Sequence, residues 1–238
     1  MMNRHCVVLA GGLGTRIQTV TENKIPKALI EVNGQPFLFW KLESLITMGI
    51  SSVTILVGFM ETQIEQYVES ADFKLDIAIH SDGPSLLGTA GAVVNALDHL
   101  PDFFWLTYAD SLVLADLEEA EKSAKRRGLS HVMHVLRNNN QLQMSNTTVV
   151  DDLVVNYEKA PTKKSNKWID YGLLRFSKND FTELEPRKNI DLSIVITKLV
   201  AEKKLFACEV DERFWDVGDP EGLKSTREHF LLRVDDHK

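Results

Sequence analysis

Disulfide frameworks, basic patches and membrane spans are all missing from this chain of 238 residues. Its two cysteines, Cys6 and Cys208, both sit in apolar stretches and read as buried free thiols of a reducing compartment. A net charge of −7 leaves no excess of basic residues for a nucleic-acid or anionic-membrane surface. No apolar run approaches the length of a bilayer span. The run Cys6–Ala10 after Arg4 is too short, and too soon followed by glycines, for a secretory signal. These absences predict a cytoplasmic protein with no nucleic-acid or membrane partner. Repeats and low-complexity tracts are lacking too, so no appended hexapeptide β-helix is expected. His5, His80, His99, His131, His134, His229 and His237 show no i, i+4 metal pair. They read as surface or core-edge residues, with no zinc site and no Ser-His-Asp triad.

What is present is an ordinary core-forming composition, 44% hydrophobic and 26% charged, in a length suited to a single domain. Apolar strand runs at Cys6–Leu9, Val53–Val57, Leu75–Ile79, Phe103–Tyr108 and His131–Leu136 alternate with helical periodicity at Pro36–Met48, Glu61–Glu69, Thr89–Leu97 and Asp116–Arg127. In the last of these Asp116 and Glu119 form a capping-box pattern, and Gly128 follows as a stop. This rhythm predicts an α/β fold, a Rossmann-like, mostly parallel sheet with helices on both faces. After residue 135 the pattern changes. Thr147–Val150 and Leu153–Tyr157 read as an antiparallel hairpin turning at Asp151-Asp152, and the lysine-rich Thr162–Lys167 as a mobile loop. Ile169–Phe176 is a strand candidate, Asp191–Lys204 an amphipathic helix, and Phe206–Val210 and Phe214–Val217 short strands. Asp219-Pro220 opens a final helix. The chain thus divides into a first half, 1–135, and a second half, 136–238, with a small antiparallel subregion.

The first strand runs into Leu9-Ala10-Gly11-Gly12-Leu13-Gly14-Thr15-Arg16, with Pro26-Lys27 downstream. Glycines let backbone N–H groups approach an anion closely, and an arginine adds planar, permanently charged donors. Neither familiar phosphate loop fits. A dinucleotide fingerprint counted from Gly12 meets Ile17 where its third glycine belongs, and a P-loop counted from Gly11 meets Arg16 where it needs glycine. The loop follows the first strand and Asp110 ends the fourth, so both should face the crevice beyond the carboxyl ends of the sheet.

The segments LAGGLGTR, IPKAL, LGTAGAV (Leu87–Val93), LTYAD, EKAP (Glu158–Pro161), DYGLLRF (Asp170–Phe176) and WDVGDPEG (Trp215–Gly222) occur in one order over nearly the whole chain. In that order the sequence resembles the sugar-1-phosphate nucleotidyltransferases, and among them heptose-1-phosphate guanylyltransferases and short uridylyltransferases that act on sugar 1-phosphates, more the former than the latter. The resemblance implies attack by a sugar-1-phosphate oxygen on the α-phosphorus of a nucleoside triphosphate, with loss of pyrophosphate. Leu9, Ala10, Gly11, Gly12, Gly14 and Thr15 would wrap the nucleotide, with Gly88 and Thr89 beneath the base. Arg16 would hold the departing pyrophosphate, and Lys27 would offset the repulsion between the reacting phosphates. Asp110 and Asp216 match the family's magnesium carboxylates, a cofactor satisfied by one or two protein acids plus phosphate oxygens and water.

On the acceptor side the resemblance assigns Tyr108, Glu158, Lys159, Asp170 and Gly172. At Asp170-Tyr171-Gly172 the family usually carries Asn-Ala-Gly, a departure that bears on the acceptor and not on the reaction class. It keeps open a cytidylyl- or uridylyltransferase acting on another phosphorylated small molecule. A catalytically silent nucleotide-binding regulator is disfavoured, because Arg16, Lys27 and both aspartates are present. Homodimers are common among such folds, and the sequence carries no interface signature.

Overall fold

Four consecutive apolar residues, Cys6 to Leu9, all buried, form a strand that can lie only at the centre of a sheet covered on both faces. The computed structural model describes residues 3–83 and 85–235. Its strands are β1 (Arg4–Leu9), β2 (Glu31–Val32), β3 (Gln35–Pro36), β4 (Ile50–Val57), β5 (Asp76–Ser81), β6 (Phe103–Tyr108), β7 (Ser111–Leu112), β8 (His131–Arg137), β9 (Thr147–Val150), β10 (Leu153–Tyr157), β11 (Trp168–Ser177), β12 (Leu205–Val210) and β13 (Trp215–Asp216). The helices are α1 (Gln18–Thr21), α2 (Phe37–Thr47), α3 (Glu61–Ser70), α4 (Gly88–Ala96), α5 (Leu117–Arg126), α6 (Ser193–Ala201) and α7 (Pro220–Asp235). No described helix is long and apolar enough to cross a membrane.

The main sheet has the order β5-β4-β1-β6-β11-β8-β12-β10-β9. From β5 to β6 every pairing is parallel, as the βαβ rhythm predicts. β11 then runs antiparallel between β6 and β8, so the antiparallel part reaches the middle of the sheet. Helices cover both faces, over one apolar cluster that includes Leu38, Leu42 and Ile64 and another that includes Val93, Ile196 and Leu199. The hairpin β9–β10 turns at Asp151 and Asp152, whose φ values of 50° and 59° mark a type I′ turn matched to strand twist.

Several local expectations change. Asp116 caps α5 through the Glu119 N–H, but the Glu119 carboxylate turns forward to Ser123 and Arg126, so the reciprocal half of the capping box is not made. Within Thr162–Lys167, Asn166 is buried and bonded to Thr148 and Glu158, which ties the segment down. His134 is a core residue and not an edge one. Its Nδ1 lies 3.2 Å from the Leu173 carbonyl, and burial pushes its pKa down to about 4, keeping the ring neutral. Cys6 is buried, Cys208 is half-buried, and both are free. His237 lies outside the described residues.

Candidate active site

The carboxyl ends of β1, β4 and β6 open into a cleft of about 640 Å³. It is lined by Leu9, Gly11, Gly12, Gly14, Thr15, Arg16, Lys27, Gly88, Thr89, Tyr108, Asp110, Asp170, Gly172 and Asp216, which come from six separate sequence segments. Ala10 is not among the lining residues: it is buried, and its N–H is taken by the Leu56 carbonyl. Beyond it the loop changes character. Among the described residues, the N–H groups of Gly11, Gly12, Leu13 and Gly14 have no hydrogen-bond acceptor, and the next one engaged is Ile17, on Gly14. Gly14 takes φ 64°, the left-handed conformation that glycine adopts without penalty. The loop therefore presents unpaired donors to the cleft.

Two short strands bring the acids together. β7 follows Asp110 directly and pairs antiparallel with β13, placing Ser111 opposite Asp216. The Val217 N–H also bonds to the Asp110 carbonyl at 2.9 Å. Both carboxylates then face the space over Gly218. A methyl group built there would lie 3.3 Å from Asp216 Oδ1, 3.6 Å from Asp110 Oδ2 and 3.2 Å from Arg16 Nη2. Gly222 packs against the same acid, since a Cβ on it would fall 2.5 Å from Asp216 Oδ1. Burial holds the Asp216 carboxyl above its ordinary range. The negative charges of Asp110 and Asp219 add to this, against the Gly218 N–H and Arg16. A raised carboxyl beside a second acid is an environment that a cation would relieve.

Lys27 donates to Asp110 in an ion pair, with its methylenes against Gly12 and Gly14. Arg16 Nη1 is 3.6 Å from Asp219 Oδ2, the side chain otherwise in solvent. Behind Asp110 lies Lys41, fully buried on α2, which the sequence reading missed. Its ammonium donates to Thr107 Oγ1 at 2.7 Å and to the Ser111 carbonyl at 2.8 Å, so it fixes the chain on both sides of Asp110. Burial lowers its pKa to about 8, opposed by Cys6 and Asp110. A lysine on the largely apolar, core-facing side of a helix is the signal that could have exposed it.

No group of three or more His, Cys, Asp or Glu among the described residues forms a self-sufficient metal cage. The pair Asp110 and Asp216, turned to one space beside Arg16, fits instead a magnesium ion that takes its remaining ligands from phosphate and water.

The LGTAGAV segment has a tertiary reason for its glycines. A Cβ on Gly88 would fall 2.6 Å from the Ile190 carbonyl, and one on Gly91 would fall 2.3 Å from the Lys188 carbonyl. The N-terminus of α4 is thereby pressed against the 188–190 loop, with the Ala90 N–H on Ile190 at 2.9 Å. Thr89 joins this tie by accepting from the Leu192 N–H at 2.8 Å.

On the acceptor side Tyr108, Asp170 and Gly172 line the cleft, whereas Glu158 and Lys159 do not. The Glu158 carboxylate accepts from Asn156 and Asn166, and Lys159 is paired with Asp191 at the rim. Asn146, a residue the sequence reading passed over, accepts the Asp170 N–H at 2.8 Å and lines the cleft with Gln143 and Asn189. The Asp170 carboxylate accepts the Gly172 N–H at 2.9 Å, and burial raises its pKa to about 6 against that bond. Burial, then Asp170, raises the Tyr108 hydroxyl well above its ordinary value, so it stays a neutral donor.

The chain that carries this cleft belongs to the nucleotidyl transferase family. Its match covers residues 5–231, and it is an enzyme of the nucleotidyltransferase class. It is 27% identical over 230 residues to the D-glycero-alpha-D-manno-heptose 1-phosphate guanylyltransferase of Campylobacter jejuni, with 95% of this chain and 98% of that protein covered. It is 26% identical to the bifunctional protein GlmU of Methanococcus vannielii, covering 96% of this chain but only 55% of that one, about half its length. Among solved structures, HddC from Yersinia pseudotuberculosis complexed with GMP-PN superposes with a TM-score of 0.78 at 21% identity, covering 95% of this chain and 99% of that one. The inositol-1-phosphate CTP transferase of T. maritima does so with a TM-score of 0.76 at 19% identity, covering 96% and 97%. These likenesses establish the Rossmann-like α/β fold.

Proposed function

We propose that this chain joins a nucleoside triphosphate to a sugar 1-phosphate, giving a nucleoside diphosphate sugar and pyrophosphate, with heptose 1-phosphate and GTP the first pair to test. The reading is supported above all by the convergence of Arg16, Asp110 and Asp216 over Gly218, with Lys27 already on Asp110. In an in-line displacement an acceptor phosphate oxygen attacks the α-phosphorus and the bond to the pyrophosphate oxygen breaks, so the protein's tasks are positioning and charge neutralisation. The free N–H groups of Gly11 to Gly14 would hold the triphosphate. Lys27 would leave Asp110 for the phosphates, lowering the repulsion between two anions. Arg16, half in solvent, would take the charge that grows on the departing pyrophosphate. Asp110 and Asp216 would hold magnesium, which when bound supplies positive charge to the triphosphate. Asp170, Asn146 and Tyr108 would orient the acceptor.

Such a product is a precursor for cell-surface polysaccharide, and its synthesis suits the cytoplasm. The test is pyrophosphate release with each NTP, Mg²⁺ and a panel of sugar 1-phosphates and other phosphorylated alcohols. Turnover with a sugar 1-phosphate supports the reading. Turnover with another phosphorylated alcohol alone removes the sugar, and no turnover with any pair removes the reaction.

A further inference from the structure

Lys41 sits where packing alone would place an apolar residue. It shares the buried side of α2 with Leu38, Leu42 and Leu45, and no part of it is exposed. Among the described residues its ammonium forms no ion pair, and its two contacts are the Thr107 hydroxyl and the Ser111 carbonyl. An ammonium sealed in a core without a counter-ion is costly, and a methionine would fill a similar volume without that cost. The packing of α2 therefore does not account for it.

What the ammonium touches does. Thr107, itself fully buried, lies three residues before Asp110, and Ser111 follows it directly. The two bonds therefore clamp the short stretch that carries this carboxylate. Ser111 in turn stands opposite Asp216 in the β7–β13 pair, and the Val217 N–H bonds to the Asp110 carbonyl at 2.9 Å. One buried group thus lies at the root of both acids. Asp110 meets its two lysines in different ways. Lys27 pairs with the carboxylate from the cleft and is partly exposed, so under the proposed function it can exchange that partner for phosphate. Lys41 holds the chain from the core side and has no other partner to turn to.

We infer that Lys41 is a positioning residue of the metal site: it holds Asp110, and through the β7–β13 pair Asp216, in the arrangement that magnesium needs while Lys27 moves to the phosphates. Groups behind metal ligands set ligand orientation and so metal affinity. This inference rests on the nucleotidyltransferase reading above and adds to it the group that keeps the acids in place.

Equilibrium titration of the full chain with GTP, UTP, CTP and ATP, in Mg²⁺ and again in EDTA and with no acceptor present, tests it. The nucleotide bound most tightly by wild type is then carried to the variants. Lys41→Met removes the ammonium and keeps the volume. It should bind that nucleotide about 10-fold more weakly than wild type in Mg²⁺ and equally well in EDTA. A merely structural role would weaken both affinities together. An equal loss in the two media, or no loss in Mg²⁺, would overturn the inference. If Lys41→Met does not fold, Thr107→Val decides. It keeps the shape and the ammonium but removes one anchor, and should weaken binding about 3-fold in Mg²⁺ alone. An unchanged affinity in Mg²⁺ there would overturn the inference as well. Failure of wild type to bind any nucleotide defeats the function proposed above, whereas Mg²⁺-dependent binding that these variants leave unchanged defeats this assignment alone.

Discussion

At one end of the cleft a ligand would meet backbone N–H groups and fixed charges. At the other it would meet side-chain amides that already hold one another. The glycine loop at the phosphate end is carried directly on β1, inside the parallel part of the sheet, and its donors belong to the main chain. The other end, proposed for the acceptor, is carried on β9, β10 and β11, where a mesh of side chains is held by its own hydrogen bonds. Asn138 bonds to Ser145 and the Gln143 carbonyl, Asn146 holds the Asp170 N–H, and Asn166 joins Thr148 to Glu158. Backbone donors survive substitution of most side chains, but a hydrogen-bonded amide is lost with one substitution. Under the proposed function, the chemistry would be fixed by parts that resist change and the acceptor by parts that do not.

Breaking the phosphate end should have the largest effect. Lys27→Ala, Asp110→Asn and Asp216→Asn should each lower kcat roughly 10²- to 10³-fold while leaving the fold intact, as read from single-turnover rates and circular dichroism. Turnover unchanged in any of these would remove that residue from the site.

Next comes the packing that holds the two ends in register. Gly91→Ala drives a Cβ into the Lys188 carbonyl and should cost about 2–4 kcal/mol in urea unfolding. An Ala substitution that leaves the unfolding midpoint unchanged would mean the 188–190 loop yields.

At the acceptor end, Asn146→Ala removes the acceptor of the Asp170 N–H. It should raise the acceptor KM about 10-fold and leave nucleotide binding unaltered. An equal loss in nucleotide affinity would show that the two ends are not independent.

The smallest effect concerns pH. Burial holds the Asp170 carboxyl at about 6 against an ordinary 3.8, so the native state keeps this proton longer than the unfolded chain. Its contribution to stability is complete below about pH 4 and is lost as the pH rises through about 6. Asp170→Asn escapes that loss, so its stability advantage over wild type should grow by about 1–2 kcal/mol between pH 5 and pH 8. Thermal melts at the two pH values measure this, and a constant difference would place the carboxylate in water.

Much of the fold was readable from local pattern. β6, β9 and β10 have the ends that hydrophobic runs and turn residues predicted, and α2 and α3 begin and end within a residue of their periodicity. The path of β11 was not. Its apolar run is compatible with an edge or a centre, and only pairing with β6 and β8 sets its direction. Of the residues that line the cleft, those with a chemical signature were named in advance: glycines, Lys27 and the strand-end acids. Asn146, Lys41 and Asp82 were missed. An asparagine after an Asn-rich turn, a lysine within a helix and an aspartate after a strand all have ordinary structural roles until their surroundings are known.

The sequence by itself determined the glycine loop, its cation and the class of fold, because these depend on short-range spacing and on which residues avoid water. Only the tertiary structure decided that Asp110 and Asp216, over a hundred residues apart, share one space. That meeting depends on the β7–β13 pairing, two residues from each strand, too short to leave a periodic trace. It likewise decided that Glu158 serves Asn156 and Asn166, and that Asp82, in the apolar end of the cleft, has no partner among the described residues. Burial and hydrogen bonding are properties of the assembled neighbourhood, and they change what a carboxylate does without changing which residue it is.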